Sequence, residues 1–293
     1  MCGVQDLRQG LKRMYMVNGV LTDVFPVSDR GLQYGDGVFE TVLMHEGKPV
    51  LWREHLERLE RGCRTLRIPY AVNDAGLSAS IKEVYDRYHR VGAPSVARCV
   101  IKIMITRGGG GRGYRPSQNS HPSEIISIHP LPEIPLEIYQ SGIAVRSLKA
   151  SVSQNPTLAG LKHLNRLDQV MASMELGEDE FEGMMHLPNG DLIEGTKSNV
   201  LAKINDRWVT PEISGAGVKG VLRQYLLARS INWGLPVEET RLGQAELADL
   251  QAMAIMNSVF GIIPVNRFNE TELDVHSVLQ EVQASVHKEI PFF

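Results

Sequence analysis

The order of the predicted strands and helices is the feature that most limits how this chain can fold. Short strands bounded by turns of glycine, asparagine and proline recur throughout, and helical patterns interrupt them at irregular intervals. A strict alternation of strand and helix would predict a parallel sheet covered by helices on both faces, and the sequence does not show that alternation. We therefore predict an α+β fold with mixed sheets and with helices in both halves of the chain.

A proline-rich stretch near the middle predicts a division into two domains. The sequence from residue 130 reads PLPEIPLEIYQSG, with three prolines between Pro130 and Pro135, a composition typical of linkers. A length of 293 residues is sufficient for two domains. We expect a flexible N-terminal extension over residues 1–13, a small α+β domain over 14–130, a linker over 131–137 and a larger C-terminal domain over 138–293.

Hydrophobic spacing and turn residues predict the individual elements. Hairpin turns are expected at residues 18–19, 188–190 and 205–207. Strands are expected over residues 97–106, 143–148 and 252–265. Helices are expected over residues 53–66, 77–88 and 275–287 and from residues 164 and 221 onward. The strand over 97–106 alternates, with Cys99, Ile101, Ile103 and Ile105 facing one way and Arg98, Lys102 and Thr106 the other.

Charge and cysteine usage exclude several functional classes. The net charge is −3 and the pI is near 6.3, so electrostatics gives no reason to expect nucleic acid or an anionic membrane as a partner. No apolar run approaches the ~20 residues of a membrane-spanning helix. The three cysteines and nine histidines are scattered without metal-ligand spacing. We therefore expect no metal site and, since the cysteine count is odd, a reducing cytoplasmic location.

Lys162 is the first candidate for chemistry. It lies where a loop becomes a helix, beside a predicted apolar stripe formed by Leu164, Leu167, Met171 and Met174. Most lysines are solvated surface residues. The alternative interpretation is that the Lys162 amine is held for covalent or acid–base chemistry.

Other signals are individually weak. Gly215, Gly217 and Gly220 precede the helix predicted from Val221, and such a helix start is either an anion site or a flexible connection. Arg58 and Glu194 are either ordinary exposed residues or ligand contacts. Asn257 and Ser258 lie inside a predicted apolar strand, where polar side chains need partners, either a ligand phosphate or neighbouring backbone. Arg112 and Tyr114 lie on the glycine-rich tip GGGGRGY, for which a simple flexible turn is the favoured interpretation. Together, an amine, an acid, an arginine and an anion site are the components of a pyridoxal phosphate (PLP) site.

Seven stretches, in order along the chain, resemble the fold-type IV PLP enzymes, the class-IV aminotransferase family. They are SDRGLQYGDGVFET from residue 28, HLERL from 55, TRGGGGRGY from 106, GLKHLNRLDQV from 160, EGTKSN from 194, GVKGVLRQ from 217 and NSVFGIIPV from 257. The resemblance implies the two-domain D-amino acid aminotransferase-like fold, PLP as cofactor, a small-molecule substrate and a homodimer.

The resemblance also implies a role for each matching residue. Lys162 would form the Schiff base with PLP and carry protons, Glu194 would bind the pyridine nitrogen, and Arg58 would bind the phosphate. The other implied cofactor-binding positions are Ser198, Asn199, Val221, Leu222, Asn257 and Ser258. Arg112 and Tyr114 match substrate-carboxylate positions, and Thr41 is the candidate for a second proton donor.

Two departures from the aminotransferase pattern bear on function. Leu222 stands where the aminotransferases carry a threonine, so phosphate binding there would rest on the backbone alone. Lys197 stands where a small residue is usual, and the sequence leaves its orientation open. The residue at position 222 resembles the lyase branch of the family, in which such a replacement is common. That resemblance implies conversion of 4-amino-4-deoxychorismate to 4-aminobenzoate and pyruvate. The alternatives are an aminotransferase for branched-chain or D-amino acids and a non-catalytic PLP-binding protein.

Overall fold

The computed structural model describes residues 14–90 and 98–290, so the predicted extension over residues 1–13 lies outside the described part of the chain. The chain forms two compact units. The first contains the residues up to Pro132 together with Lys162–Asn165, and the second contains Glu133–Leu161 and the residues from Arg166 onward. The predicted α+β class is confirmed, because each unit combines sheets with helices.

The first unit is built on one antiparallel sheet of six strands in the order β2-β1-β6-β5-β3-β4. The strands are β1 (Met14–Val17), β2 (Val20–Leu21), β3 (Gly37–His45), β4 (Lys48–Pro49), β5 (Arg98–Thr106) and β6 (Ser123–Pro130). The predicted alternation of β5 is confirmed on its inner face, where Cys99, Ile101, Ile103 and Ile105 are fully buried. On the other face, the prediction misses that Thr106 is buried and Lys102 is half-buried.

The described residues of the first unit form three helices: α1 (Arg30–Tyr34), α2 (Trp52–Leu66) and α3 (Asp74–Arg90). The helix predicted over residues 53–66 is confirmed as α2, whose Leu59 and Cys63 are buried in the core and whose Leu56 and Leu66 pack against it. Full burial of a leucine such as Leu59 stabilises the unit by roughly 1.5–3 kcal/mol. The packing fixes which face of α2 is turned to the sheet, and therefore which polar side chains enter the core with it.

The second unit contains two sheets. The larger joins β13-β12-β11-β14-β15-β16, with β7 beside β15, and the smaller has the order β10-β9-β8. The strands are β7 (Ile143–Val145), β8 (Ser147–Ser151), β9 (Met184–His186), β10 (Leu192–Gly195), β11 (Asn199–Ile204), β12 (Arg207–Pro211), β13 (Val237–Thr240), β14 (Leu250–Asn257), β15 (Gly261–Phe268) and β16 (Thr271–Glu272). Pairs β12–β13, β15–β7 and β8–β9 are parallel and the others antiparallel, so the predicted mixed sheets are confirmed.

Five helices are formed by the second unit up to residue 290. They are α4 (Ile138–Ser141), α5 (Leu167–Ser173), α6 (Val221–Arg229), α7 (Gln244–Leu247) and α8, which joins Val275–Ser277, a π-helical stretch Val278–Gln283 and Ala284–Glu289. Within the described residues, no helix combines the length and the apolar character needed to cross a membrane. The same residues contain no cluster of three or more histidine, cysteine or acidic side chains suited to a metal ion.

Two local predictions are wrong. The helix expected from Leu164 begins only at Leu167, because Lys162, His163 and Leu164 are extended beside β3. Its supposed core stripe faces outward, with Leu167, Met171 and Met174 all more than half exposed. The single strand expected over residues 252–265 is a hairpin of β14 and β15 whose turn contains Ser258.

Candidate active site

The segment that carries Lys162 passes from one unit into the other. Gly160 pairs with the second unit, donating its N–H to the Gly217 carbonyl at 2.8 Å and accepting from Lys219 at 3.2 Å. Two residues later the backbone joins the first unit, where the Phe39 N–H donates to the Lys162 carbonyl at 2.9 Å. The backbone of Lys162 is therefore fixed at the edge of β3, and only its side chain has freedom.

The amine of Lys162 lies over an aromatic ring. Its Nζ is 4.4 Å from the centroid of the Phe39 ring, a distance at which the ring face attracts a cation. Thr41 lies two residues along β3 and therefore on the same sheet face as Phe39. Lys102 is paired with Thr41 on β5 and its Nζ lies 5.2 Å from the same ring. This face of the sheet thus carries two amines and a hydroxyl around one aromatic side chain.

Arg58 is oriented by a buried acid. Its Nε donates to Glu40 Oε1 at 2.8 Å and its Nη2 to Oε2 at 2.5 Å, the bidentate geometry that fixes a guanidinium most firmly. His55, one helical turn earlier on α2, has its Nδ1 2.6 Å from Glu40 Oε2. All three side chains are buried. Glu40 therefore holds Arg58 and His55 against the inner face of β3.

The titration of this cluster follows from its charges. Burial alone would raise the pKa of Glu40, but the charge and hydrogen bonds of Arg58, with His55, lower it to about 2. Burial lowers the pKa of His55. The hydrogen bond and charge of Glu40 raise that pKa, and the positive charges of Arg58 and Lys162 lower it further. The cluster therefore contains an ionised acid, a permanent cation and a histidine that resists protonation.

Glu194 is held in the second unit by two donors. Gln169 on α5 donates to its Oε1 at 3.1 Å, and the backbone N–H of Val218 donates to its Oε2 at 2.8 Å. Glu194 lies on β10 and is almost fully buried. Gly217 passes so close that a Cβ at that position would lie 2.6 Å from Ile193 and 3.3 Å from Glu194 Oε2, and its φ is +79°. The carboxylate is thus set firmly by the backbone that leads into α6.

The start of α6 presents backbone donors. Gly220 precedes the helix and supplies no side-chain cap, so the N–H groups of Val221 and Leu222 have no partner within the helix. Asn199 on β11 donates to the Val218 carbonyl at 2.8 Å, and a Cβ on Gly220 would lie 1.9 Å from Asn199 Oδ1. Asn199 therefore sets the approach to α6, and only glycine fits beside it.

The turn between β10 and β11 is organised by Glu182. This fully buried carboxylate accepts hydrogen bonds from the N–H groups of Gly183, Thr196 and Lys197 and from the hydroxyls of Thr196 and Ser198, at 2.5–3.3 Å. Because the Ser198 hydroxyl donates to Glu182, it has no proton left to donate to a ligand. The orientation of Lys197 is settled: its Nζ donates to the Phe181 carbonyl at 2.5 Å and lies over the Phe181 ring.

Asn257 and Ser258 lie at a turn and not within a strand. Asn257 ends β14, where its side chain accepts from the N–H groups of Val259 and Phe260, both at 2.9 Å, and donates to the Lys197 carbonyl at 3.1 Å. Ser258 follows it and is buried. The sequence treated the pair as polar residues needing partners in an apolar strand; for Asn257 those partners are turn backbone.

The loop of Arg112 and Tyr114 joins β5 to β6 as predicted. Both side chains are exposed, and the Tyr114 ring packs edge-on against Tyr34 with the centroids 5.7 Å apart. The Gly113 and Tyr114 carbonyls accept from the buried Arg30.

The sequence interpretation missed the residues that support the site. Glu40, His55 and Glu182 each orient a predicted residue or turn, and none was singled out. One signal was available: Glu40 occupies an inward-facing position of β3, and His55 precedes Arg58 by three residues on one helix face. A buried acid opposite two basic residues predicts an ion-pair cluster. Glu182 had no comparable signal, because its partners are mainly backbone groups.

The geometry can now be set beside known proteins. The family model for amino-transferase class IV matches residues 37–268. An aminodeoxychorismate lyase from Vibrio harveyi is 32% identical over 264 residues, which cover 88% of this chain and 93% of the relative.

Two solved structures extend the comparison. The 4-amino-4-deoxychorismate lyase from Pseudomonas aeruginosa is 35% identical with a TM-score of 0.85, over 95% of this chain and 100% of that one. A PLP-bound hypothetical aminotransferase from Mycobacterium tuberculosis, 20% identical with a TM-score of 0.76 over 94% and 97% of the two chains, shares the fold. The family match spans well over half of the residues, and the chain belongs to the class-IV aminotransferase family.

Proposed function

We propose that this protein is a PLP-dependent lyase that converts 4-amino-4-deoxychorismate to 4-aminobenzoate and pyruvate. The observation that carries the proposal is the similarity to the lyases from Vibrio harveyi and Pseudomonas aeruginosa at 32% and 35% identity over nearly the whole chain. Those two proteins are named for this reaction. The family-model match over residues 37–268 includes both the segment of Lys162 and the loop of Arg112.

The residues present fit PLP. Lys162 offers a primary amine for the cofactor aldehyde. Arg58 offers a rigid guanidinium, and the N–H groups of Val221 and Leu222 offer a helix start, which are both suited to a phosphate. Glu194 is a buried carboxylate whose two oxygens are oriented by Gln169 and Val218. A carboxylate fixed in this way is suited to accept a hydrogen bond from the ring N–H of the cofactor.

Lys162 performs the proton transfers. PLP, when bound, withdraws electrons from the amine-bearing carbon of the substrate. The Lys162 amine would take the proton from that ring carbon. Loss of the enolpyruvyl oxygen then leaves an aromatic ring, which makes the elimination favourable. Lys162 or Thr41 donates a proton to the carbon of the departing enol, and pyruvate results.

The remaining residues bind and orient. In the first unit, Arg58, held by Glu40, would bind the cofactor phosphate. In the second unit, the N–H groups at the start of α6 are suited to the same kind of anion. Ser198, Asn199 and Asn257 act by shaping the backbone around the cofactor, since their side chains already bond to Glu182, Val218 and Lys197. Ser258 is a further phosphate contact in this proposal. Arg112 and Tyr114 bind the substrate carboxylates, and Lys102 adds positive charge beside Thr41.

The direct test is product formation. The purified protein is incubated with 4-amino-4-deoxychorismate generated in situ, and 4-aminobenzoate and pyruvate are quantified by chromatography. Equimolar products that the Lys162→Ala variant does not form would establish the lyase. If a PLP-loaded protein forms neither product, amino-acid half-reactions followed by cofactor absorbance decide whether it is an aminotransferase for branched-chain or D-amino acids.

Assembly and location complete the proposal. The protein is a homodimer, which is supported by the outward-facing apolar side chains of α5, because contiguous exposed apolar surface marks association sites.

It works in the cytoplasm, which is supported by Cys63 and Cys99, both buried free thiols. Burial raises the pKa of each thiol to about 12. Free thiols are typical of reducing compartments.

A further inference from the structure

The loop that carries Arg112 and Tyr114 needs an anchor. Its backbone adopts positive φ at Gly108, Gly110, Gly111 and Gly113, with values from +64° to +111°. Glycine loses more conformational freedom on ordering than any other residue, so a loop of this composition is costly to hold in one shape. If such a loop became ordered only when the substrate binds, the entropy cost of ordering it would reduce the affinity for the substrate.

Arg30 supplies the anchor from beneath the loop. It lies at the start of α1 and is 3% exposed. Its Nη1 donates to the Gly113 carbonyl at 3.0 Å and its Nη2 to the Tyr114 carbonyl at 2.8 Å. Its own backbone N–H donates to the Gly108 carbonyl at 3.0 Å. One residue therefore fixes both the base of the loop and the two positions that follow Arg112.

Asp36 fixes Arg30 in turn. Arg30 Nε donates to Asp36 Oδ2 at 2.9 Å, and Arg107, at the base of the loop, binds both oxygens of the same carboxylate at 2.7 and 2.9 Å. Arg107 also donates to the carbonyls of Leu66 and Arg67 at the end of α2. Burial favours a higher pKa for Asp36, and the two guanidinium groups outweigh it, so the pKa is lowered. The anchor is thus tied to the helical layer of the unit.

An aromatic contact completes the support. The guanidinium of Arg30 lies 4.7 Å from the centroid of the Tyr34 ring, and the Tyr114 ring packs edge-on against Tyr34. Arg30 therefore holds the Tyr114 backbone directly and its side chain through Tyr34. The hydrogen bonds and ring contacts of this anchor are made by Arg30, Tyr34, Asp36, Arg107 and the loop itself.

We infer that Arg30 is a positioning residue for substrate binding: its guanidinium fork holds the loop of residues 108–115 so that Arg112 and Tyr114 meet a carboxylate-bearing substrate without first being ordered. The inference rests on the proposed function, which makes the substrate an anion. It predicts a division of effects. Loosening the anchor raises KM for the substrate, leaves kcat near the wild-type value and leaves PLP binding unchanged.

Arg30→Lys is the first variant, because lysine keeps the charge but cannot donate to two carbonyls and Asp36 in one plane. We expect KM to rise roughly tenfold, kcat to stay within about twofold, and the visible absorbance of bound PLP to be unchanged. In the holoenzyme, amide hydrogen exchange in peptides covering residues 108–116 should become faster. The matched control is Arg53→Lys at an exposed arginine of the same unit that pairs with Glu57, which should change none of these.

Tyr34→Leu keeps the test decisive if Arg30→Lys does not fold. Tyr34 is exposed, so its replacement spares the core while removing the ring on which Arg30 and Tyr114 pack. It should raise KM less than Arg30→Lys does, with the same unchanged kcat. The inference is overturned if the folded variants keep the wild-type KM and the wild-type rate of amide exchange in the loop. It is also overturned if kcat falls while KM stays unchanged.

The proposed function can fail separately. A wild-type protein that forms no 4-aminobenzoate refutes the lyase, and the exchange measurement, which needs no turnover, still decides whether Arg30 anchors the loop. Faster loop exchange in Arg30→Lys but not in Arg53→Lys would support the anchor. Equal exchange in both would refute it.

Discussion

Arg58 shows how a single side chain is prepared for a ligand at the residue scale. A guanidinium on a flexible stem loses rotamer entropy on binding unless something already holds it. Here Glu40 holds it with two hydrogen bonds, and His55 holds Glu40. The entropy cost of ordering Arg58 is therefore met on folding, and in the proposed function it does not reduce the affinity for the cofactor phosphate.

Lys162→Ala tests the residue on which the chemistry depends. The variant should lose the visible absorbance of covalently bound PLP and at least about a thousandfold in turnover, because both the covalent bond and the proton carrier are removed. The fold should remain, since Lys162 is paired through its backbone. Circular dichroism is the control, with Lys219→Ala as the matched variant. A yellow, active Lys162→Ala protein would contradict the assignment.

Glu40→Gln tests the buried ion pair. At pH 7 the variant should be less stable by about 3 kcal/mol, because Arg58 loses its charge partner in a buried site. The native pKa of about 2 lies below the ordinary 4.5, so the wild type loses this contribution as pH falls from about 4.5 towards 2. The stability difference between the two proteins should therefore narrow with acid.

Urea denaturation at several pH values measures that difference. Glu57→Gln is the control, because Glu57 forms an exposed pair with Arg53 and should differ from wild type by no more than ~1 kcal/mol at any pH. His55 also makes the native protein less stable in acid. Burial lowers its pKa in the native state, so below about pH 6.5 a proton binds preferentially to the unfolded chain. If the difference in unfolding free energy between Glu40→Gln and the wild type stays constant with pH, the ion-pair account is contradicted.

The sequence identified Lys162, Arg58 and Glu194 as candidates because each resembles a family position, but it could not identify what orients them. Glu40 lies 15 and 18 residues from its partners, and no local pattern encodes a strand-to-helix ion pair. Ser198 and Asn257 stay predicted as cofactor-binding residues, and the sequence could not show that their side chains also donate to Glu182 and to the Lys197 carbonyl. A family position indicates proximity to a ligand, and only geometry shows whether a donor is left for it.

At the scale of elements, the turn between β10 and β11 is built around one carboxylate. Glu182→Gln replaces an acceptor oxygen with an N–H₂ group that faces donors, and we expect a loss of about 2–3 kcal/mol in unfolding free energy. Because Glu194 and Asn199 flank this turn, PLP affinity should fall roughly tenfold while the PLP-saturated enzyme keeps most of its turnover. PLP titration and thermal denaturation measure the two effects.

Glu178→Gln, at an exposed acid nearby in sequence, is the control for that experiment and should be neutral in both assays. A Glu182→Gln enzyme that loses turnover at saturating PLP but not affinity would place Glu182 in the chemistry instead. An enzyme unchanged in both would show that the turn holds its shape without the carboxylate.

Elements with a strong local signal were predicted well. The alternation of β5 and the positive-φ turns at Asn18-Gly19 and Asn205-Asp206 follow from local sterics. The helix after Lys162 was misplaced because an extended segment that pairs with β3 competes with helical propensity, which is a non-local effect. The hairpin of β14 and β15 was read as one strand because its turn, Ser258–Phe260, contains only one typical turn residue.

At the scale of the whole molecule, the outward face of α5 makes the assembly testable. Light scattering should give the mass of a dimer, and Met171→Glu should shift the protein towards monomer, because it places a charge among exposed apolar side chains on that helix. Ile231→Glu, at an apolar residue that is 79% exposed elsewhere in the same unit, should leave the mass unchanged. A monomeric wild type, or a dimer insensitive to Met171→Glu, would contradict the proposal.

The short excursion of residues 162–165 into the first unit has a consequence for biosynthesis. The first unit includes a strand-like segment that follows its other residues by about thirty positions, so a ribosome that has released residue 132 has not yet made all of it. Until Lys162 and Leu164 emerge, the N-terminal end of β3 has an unpaired edge that can recruit another nascent chain. The residue to which we assign the proton transfers thus also closes the edge of the first-made sheet, and we expect ribosomes that stall before it to release a protein prone to aggregate.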